Sequence, residues 1–336
     1  MDNEFIREAL LQEKVGNKVR CNLCERRCQI PQGGFGWCRT RQNSAGKLIT
    51  LVYGAISSFA ANPIEKKPLY HFYPGTIALT VGSWSCNFGC PWCRNWKVSK
   101  VKPEPEEYIS PERAVEMAEN ASCQGLSISF NEPTLLFEWV LDAFRLAQGR
   151  GLYNTIVTNS YMTRDAMTML VEAGLDAMSA DIKGDATTVR KYCRGVKVEK
   201  VWNTVIAARQ AGVHLEITTP VIPTVNDSGE ILQSVACRIA QDLGREVPWH
   251  LTAYFPAYRF ALPPTPVDTL EWAWEIGKNA GLDYVYIDNV PGHDYQNTYC
   301  PACNASLLQR SGLQVFSNWL DADSCPYCGC KIVGTW

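Results

Sequence analysis

The stretch TIALTVGSWSCNFGCPWC, residues 76–93, decides how the chain is read. It begins as an apolar strand over 76–82, closes on Gly82 and runs into a loop bearing Cys86, Cys90 and Cys93. The spacing C-x3-C-x2-C brings three thiolates to the end of one strand. Three thiolates hold three irons of a cubane cluster whose usual complement is four cysteines. The fourth iron is then open to a ligand that is not protein, such as the methionyl end of S-adenosylmethionine (SAM). Electron transfer from such a cluster can cleave the sulfonium and produce a carbon radical. The alternative is a zinc ion on three cysteines and water, but zinc knuckles usually come as two separated pairs.

Outward from this loop, the apolar strand pattern recurs at 126–130, 154–158, 176–182, 214–222 and 249–255. Helical patterns lie between, near 111–121, 135–149, 163–173, 199–211, 228–243 and 266–280. Repeated strand–helix units imply a parallel sheet with right-handed crossovers. The fold expected is α/β, a partial (β/α)6 barrel short of the closed eight-fold form, with its site at the carboxyl ends of the strands. A short strand at 284–287 extends one edge. Residues 4–15, with Phe5, Ile6, Leu10 and Leu11, read as an amphipathic helix. The expected division is a Cys-rich lobe over 1–75, the barrel over 76–290 and a Cys-rich module over 291–336.

Lys+Arg is 32 against Asp+Glu 34, a net charge of −2, with a sequence pI near 6.1. That balance excludes a generally basic, nucleic-acid-coating protein and leaves room for a local basic patch. No apolar run is long enough to span a bilayer. The start Met1-Asp2-Asn3-Glu4 is acidic and lacks the apolar core of a signal peptide, so a cytoplasmic location is expected. The chain has 15 cysteines, an odd number, and twelve of them fall into three groups. Clustered cysteines in a large cytoplasmic chain point to metal rather than disulfides. Cys123, Cys193 and Cys237 stand alone and read as packing residues.

At the carboxyl end, Cys300-x2-Cys303 and Cys325-x2-Cys328 read as two knuckles of a zinc ribbon, with an auxiliary iron–sulfur cluster as the alternative and Cys330 either a spare or an alternative ligand. Cys21, Cys24, Cys28 and Cys38 give four thiolates at irregular spacing, for which zinc and an iron–sulfur cluster both remain open. One or two zinc sites are therefore expected. The ends could cover the rim of the open barrel, or dock a macromolecular substrate.

The chain resembles the radical SAM superfamily, whose signature is C-x3-C-x-aromatic-C, with Trp92 in the aromatic slot. The likeness is greatest to the radical SAM enzymes of the AmmeMemoRadiSam system, which are similar to pyruvate formate-lyase activating enzymes. It is carried by Cys21-Asn-Leu-Cys24 with Cys28, Tyr53-Gly54, the run Asn62 to Phe72, Cys86 to Asn95, Asn131-Glu-Pro-Thr134, and Tyr299-Cys-Pro-Ala-Cys303 with Cys325-Pro-Tyr-Cys328. The resemblance implies a [4Fe–4S] cluster on Cys86, Cys90 and Cys93, and SAM as cofactor. It implies Trp92 near the adenine, Glu132 at the SAM amino group, Thr158 and Asn159 near the ribose, and Lys183 with Asp181 at the SAM carboxylate. Val221 and Ile222 either pack on the adenine or form barrel core. The family's Gly-Gly before Glu-Pro is replaced by Phe130 and Asn131. Thr218 stands where the activating enzymes have an arginine, and an aromatic residue after His250 replaces their cation-site histidine. His71 and His250 are open to an acid–base or a core reading. Glu65, Lys66 and Lys67 are open to substrate contact or to a charged loop face.

The expected function is reductive cleavage of SAM to a 5′-deoxyadenosyl radical that abstracts hydrogen from a protein or peptide partner. A flavodoxin- or ferredoxin-like electron donor is implied. An enzyme acting on RNA or a small metabolite is the alternative within the chemistry, although the net charge weighs against RNA. A non-catalytic zinc-ribbon scaffold is the alternative outside it.

Overall fold

The computed structural model describes residues 4–102 and 107–336; the acidic start at Met1–Asn3 lies outside them. Its centre is an eight-stranded sheet: β1 (Ser58–Pro63), β2 (Ile77–Gly82), β3 (Gly125–Ile128), β4 (Tyr153–Thr158), β5 (Ala177–Asp181), β6 (His214–Val221), β7 (Trp249–Ala253) and β8 (Val285–Asp288). The strands lie in chain order. β1 and β2 form an antiparallel hairpin, Ser58 opposite Gly82 and Pro63 opposite Ile77. Every later neighbour pairs parallel. Six strand–helix units followed by β8 form the partial barrel expected from the sequence. The hairpin draws residues 58–63 into this sheet, so position 75 falls inside the hairpin.

Helices α1 (Pro111–Asn120), α2 (Phe137–Gly149), α3 (Arg164–Glu172), α4 (Ala186–Tyr192), α5 (Val198–Gln210), α6 (Gly229–Arg238) and α7 (Val267–Asn279) make the crossovers. Ser110, Thr163, Asp185 and Ser228 start four of them, each side-chain oxygen accepting from a backbone N–H of the first turn. Such caps replace a missing helical acceptor. The helices bury one face against strands such as GLSI of β3, which are buried along their whole length, as a sheet covered on both faces requires.

Residues 4–15 are not a helix. They form strands Arg7–Glu8 and Gln12–Val15. The second folds back on Lys18–Cys21 across Gly16 and Asn17, with Gly16 at φ 59°. A Gly-Asn pair supplies the positive φ of a two-residue hairpin turn, and the hairpin outweighs the helical spacing of the apolar residues. The lobe built on it reaches the carboxyl ends of the strands. The backbone N–H of Glu25 donates to the Tyr161 carbonyl at 2.9 Å, and that of Thr163 to the Leu23 carbonyl at 3.1 Å.

The carboxyl-terminal module sits at the other end of the sheet. Cys300, Leu307, Leu308 and Cys325 pack with Tyr70, Tyr284 and Tyr286. Arg310 donates to the Tyr70 carbonyl at 2.9 Å, and His71 Nδ1 donates to the Val333 carbonyl at 2.7 Å. This module therefore does not lie over the mouth that holds Cys86. Its four sulfurs converge: Cys300 to Cys328 is 3.6 Å, Cys303 to Cys325 is 3.7 Å, and all four lie within 4.8 Å of one another.

The two histidines considered as acid–base groups also lie at this base. His250 is fully buried between Asp288, 2.9 Å from Nδ1, and Glu216, 2.8 Å from Nε2. Burial alone would discharge the ring, but the two carboxylates lift its pKa to about 9. Burial lowers His71 to about 4. Glu65 is buried, 4.0 Å from the Arg310 guanidinium, so it too serves the base rather than a loop face.

Two outcomes follow from this base. The His250 pKa is raised above its unfolded value of about 6.5. Its stabilisation is complete below that pH and is lost as pH rises through about 9. Urea unfolding from pH 7 to 10 should therefore show a steeper loss in the wild type than in His250→Gln; parallel curves would contradict the assignment. Separately, Cys303→Ser with Cys328→Ser should release one metal ion and raise hydrogen exchange in residues 291–336, because small thiolate modules draw folding energy from the metal. The Cys86 end should keep its protection.

Candidate active site at the carboxyl ends of the strands

β2 ends on Gly82, where a Cβ would stand 2.5 Å from the Ser129 carbonyl and 2.9 Å from Phe130 Cβ. Only glycine admits that approach. Phe130 itself has φ 70°, the left-handed conformation that glycine adopts freely. The turn before Glu132 thus keeps a glycine-like path without a glycine. Asn131 locks it to the cysteine loop: its Oδ1 accepts from the Ser83 N–H at 2.9 Å, and its Nδ2 donates to the Trp84 and Ser85 carbonyls at 3.0 and 3.1 Å.

The rest of the loop is held the same way. Lys100 Nζ donates to the Phe88 carbonyl at 2.5 Å. Arg26 Nε donates to the Asn87 carbonyl at 2.9 Å. Asn159 Nδ2 donates to Asn87 Oδ1 at 2.7 Å and lies 3.6 Å from Cys86 Sγ. Gly89 leaves room for Arg194, whose Cγ would stand 2.1 Å from a Cβ there. Burial pushes the Cys86 thiol up to about 12 and raises Cys93, while Lys100 opposes both shifts. These thiols therefore shed their protons on metal binding rather than before it. No three sulfurs of this set lie within 4.8 Å of one another, so they do not converge on one ion.

The three cysteines form one side of a cavity of about 280 Å³. Trp92, Glu132, Thr158, Asn159, Asp181 and Lys183 are among the residues that line it. Both Glu132 oxygens accept: Oε1 from Thr134 Oγ1 at 2.5 Å and Thr158 Oγ1 at 2.7 Å, and Oε2 from the Asn159 N–H at 3.0 Å, which leaves Oε2 able to accept once more from a ligand in the cavity. Lys183 pairs with Asp181 Oδ2. Burial opposes its charge, but Asp181 and the nearby sulfurs of Cys90 and Cys193 hold it protonated. Asp181 Oδ1 and Trp92 Nε1 are buried with no partner among the described residues. One acceptor and one donor thus remain for a polar ligand, which suits SAM beside a three-cysteine cluster. Val221 and Ile222 are fully buried and do not line the cavity; Thr218 and Pro220 do.

Two residues belong to the site that the sequence does not assign to it. Cys193, read from the sequence as packing, lies 3.5 Å from Cys90, sulfur to sulfur. Lys100 braces the loop as described. Cys193 comes from the end of α4, and no spacing rule connects it to Cys90. Lys100 follows the cysteines by seven residues, within reach of any short turn. Lys67, in the run read as substrate contacts or loop face, is buried inside instead, 5.4 Å from the Phe130 ring, and burial lowers its pKa to about 7.

The sequence profile of the Radical SAM superfamily matches residues 84–235, from the cysteine loop through β6 into α6. The chain belongs to the radical SAM superfamily. An uncharacterized protein of Methanocaldococcus jannaschii is 39% identical over 333 residues, covering 97% of this chain and 99% of that one. A second protein of that organism, named as a candidate glycyl-radical enzyme activating enzyme, is 23% identical over 164 residues, 47% of this chain and 67% of its own length. The fold is shared with a radical SAM methyltransferase of Sphaerobacter thermophilus at TM-score 0.51 and 15% identity, over 65% of this chain and 68% of that one. Superfamily membership implies a [4Fe–4S] cluster and SAM. Among the described residues no helix is long and apolar enough to cross a membrane.

Glu132→Gln and Lys183→Met should each weaken SAM binding about ten- to a hundredfold, the equivalent of one charge-assisted hydrogen bond of roughly 1.5–3 kcal/mol. Iron content should not change. Calorimetric titration of the anaerobic protein gives the affinity, and unchanged values in both variants would reduce these residues to a structural role.

Proposed function

We propose that this chain is a hydrogen-abstracting radical SAM enzyme whose substrate is a segment of another polypeptide. When bound, the cluster and SAM together supply a 5′-deoxyadenosyl radical, by one-electron reductive cleavage of the sulfonium, for hydrogen abstraction from the substrate. Cys86, Cys90 and Cys93 would hold the cluster. Lys183 and Asp181 would hold the charged methionyl end, and Trp92 would border the adenine. Glu132 fixes the ends of β3 and β4 around that ligand through its hydrogen bonds to Thr134, Thr158 and Asn159. The four converging thiolates at 300–328 suit zinc, since tetrahedral ligation by four cysteines is its usual structural form.

The observation that carries the polypeptide reading is a second, larger opening. A groove of about 990 Å³ runs beside Cys86 and Cys38. Arg39, Lys100, Lys102, Lys191, Arg194 and Arg259 line it, and among the described residues none of its lining is acidic. Several of these cations lie over aromatic rings, as Arg39 does over Phe35 and Arg259 over Tyr258. Phe35 and Trp37 are each 44% exposed on its wall. The net charge of −2 belongs to the whole chain, so this cationic face is local and complements an acidic segment. The same combination of cations and aromatic faces also suits single-stranded RNA, which is the second reading.

Anaerobic reaction with SAM and dithionite tests the chemistry. 5′-Deoxyadenosine should form with the wild type and not with Cys86→Ala; equal yields would remove the cluster assignment. Fluorescence anisotropy with a labelled Glu-rich peptide and a labelled oligoribonucleotide separates the two substrates. The acidic peptide should bind, and Arg39→Glu with Arg259→Glu should weaken it about tenfold at low salt, less at high salt. Binding of the oligonucleotide alone would favour RNA.

A further inference from the structure

The four cysteines of the amino-terminal lobe lie apart from the site described above, yet next to it. Cys21, Cys24, Cys28 and Cys38 line one small cavity, whose wall also includes Arg41 and Asn87. We infer that these four thiolates hold a second iron–sulfur cluster, and that it delivers single electrons to the Cys86 site.

Three observations carry the assignment. The first is the separation of the sulfurs. A single zinc ion at 2.3 Å from each sulfur sets tetrahedral thiolates about 3.8 Å apart. The carboxyl-terminal four stand that way, with all sulfurs within 4.8 Å. Among the described residues no three sulfurs of the amino-terminal set do so. Thiolates bound to separate irons of one cluster need the wider placement, and the Cys86 set shares it.

The second is the cavity's polarity. Arg41 Nε and Asn87 Nδ2 are buried donors without an acceptor among the described residues. Arg41 is 1% exposed and held in place by Glu138 at 2.7 and 2.8 Å. Unpaired buried donors are costly. Cluster sulfides are acceptors that a lone zinc ion does not bring. The Trp37 N–H already donates to Cys28 Sγ at 3.4 Å, the kind of contact that tunes cluster potentials.

The third is connection. The Ser85 hydroxyl donates to the Cys38 carbonyl at 2.6 Å, and Ser85 is covalently joined to Cys86. Asn87, next to Cys86 on the other side, lines the cavity itself. One hydrogen bond and one residue therefore separate a ligand of one set from a ligand of the other. Cys28 and Cys38 are only partly buried, which leaves the second cluster open to a donor. The step moves one electron and no atoms. A reduced low-potential carrier of the flavodoxin or ferredoxin class is oxidised, the lobe cluster is reduced and reoxidised, and the central cluster gains the electron. The relay rests on the radical SAM reading of the central site; the metal assignment does not.

Iron, sulfide and zinc counts on the full-length anaerobic protein test it. The triple variant Cys86→Ala, Cys90→Ala, Cys93→Ala should keep about four irons, one cubane's complement. Dithionite should give it a paramagnetic signal that SAM does not change. No retained iron, with or without a second zinc, would overturn the assignment. Since this variant lacks the central ligands, its iron reports on the lobe whatever becomes of SAM chemistry. If it does not fold, the wild type decides: about eight irons and one zinc support the proposal, and about four irons overturn it. For the relay, freeze-quench EPR after mixing with photoreduced flavodoxin should show the SAM-sensitive signal appearing at least tenfold more slowly in Cys28→Ser with Cys38→Ser. Equal rates would refute electron delivery through the lobe.

Discussion

The structure depends on a loop that cannot hold itself. Residues 83–95 leave β2 outside any helix or strand, so their backbone polar groups must be satisfied from elsewhere. Asn131, Asn159, Arg26 and Lys100 do so, each from a different part of the chain. The close approach of Gly82 to Ser129 and Phe130 is the geometric condition for all of this. It brings the ends of β2 and β3 near enough for one asparagine side chain to bond three loop groups. A side chain at 82 would push the strand ends apart and release the cysteines together.

The two cysteine-rich ends occupy opposite poles. The amino-terminal lobe joins the reactive mouth through Arg26 and Ser85. The carboxyl-terminal module closes the base over a buried group of His250, Glu216, Asp288 and Tyr70. A base with charges so enclosed keeps its strands in register only while each charge has its partner. The sequence offers both ends as lids or docking elements; of the two, the amino-terminal lobe borders the reactive mouth and the carboxyl-terminal module lies away from it.

What was legible followed from periodicity. The strand–helix alternation is strong because each strand is buried on both faces, and the predicted strands fall within a few residues of those observed. The three cysteine groups were legible as groups, because ligand spacing is local. Contacts between distant segments were not. Cys193 meets Cys90 across 103 residues, and Asp181 Oδ1 is left unpaired by packing rather than by sequence. The helix expected over residues 4–15 failed for another reason: four apolar residues matched a helical face, while the Gly16-Asn17 turn set a hairpin. Val221 and Ile222 read equally as core or cofactor contact, and only the folded chain shows both buried away from the cavity.

The Arg41–Glu138 pair has a consequence for how the protein is made. The lobe leaves the ribosome first, yet it is sealed by residues that come much later. Leu10 and Arg41 wait for Glu138, Leu23 for Thr163, and Arg26 for Arg194. Contacts of such sequence separation form late, because a long loop must close before they can reward it. Until more than half the chain has been synthesised, the four lobe thiols lack their roof. For the cluster proposed in the lobe, that interval is a delivery window, open before the barrel closes over the four thiols.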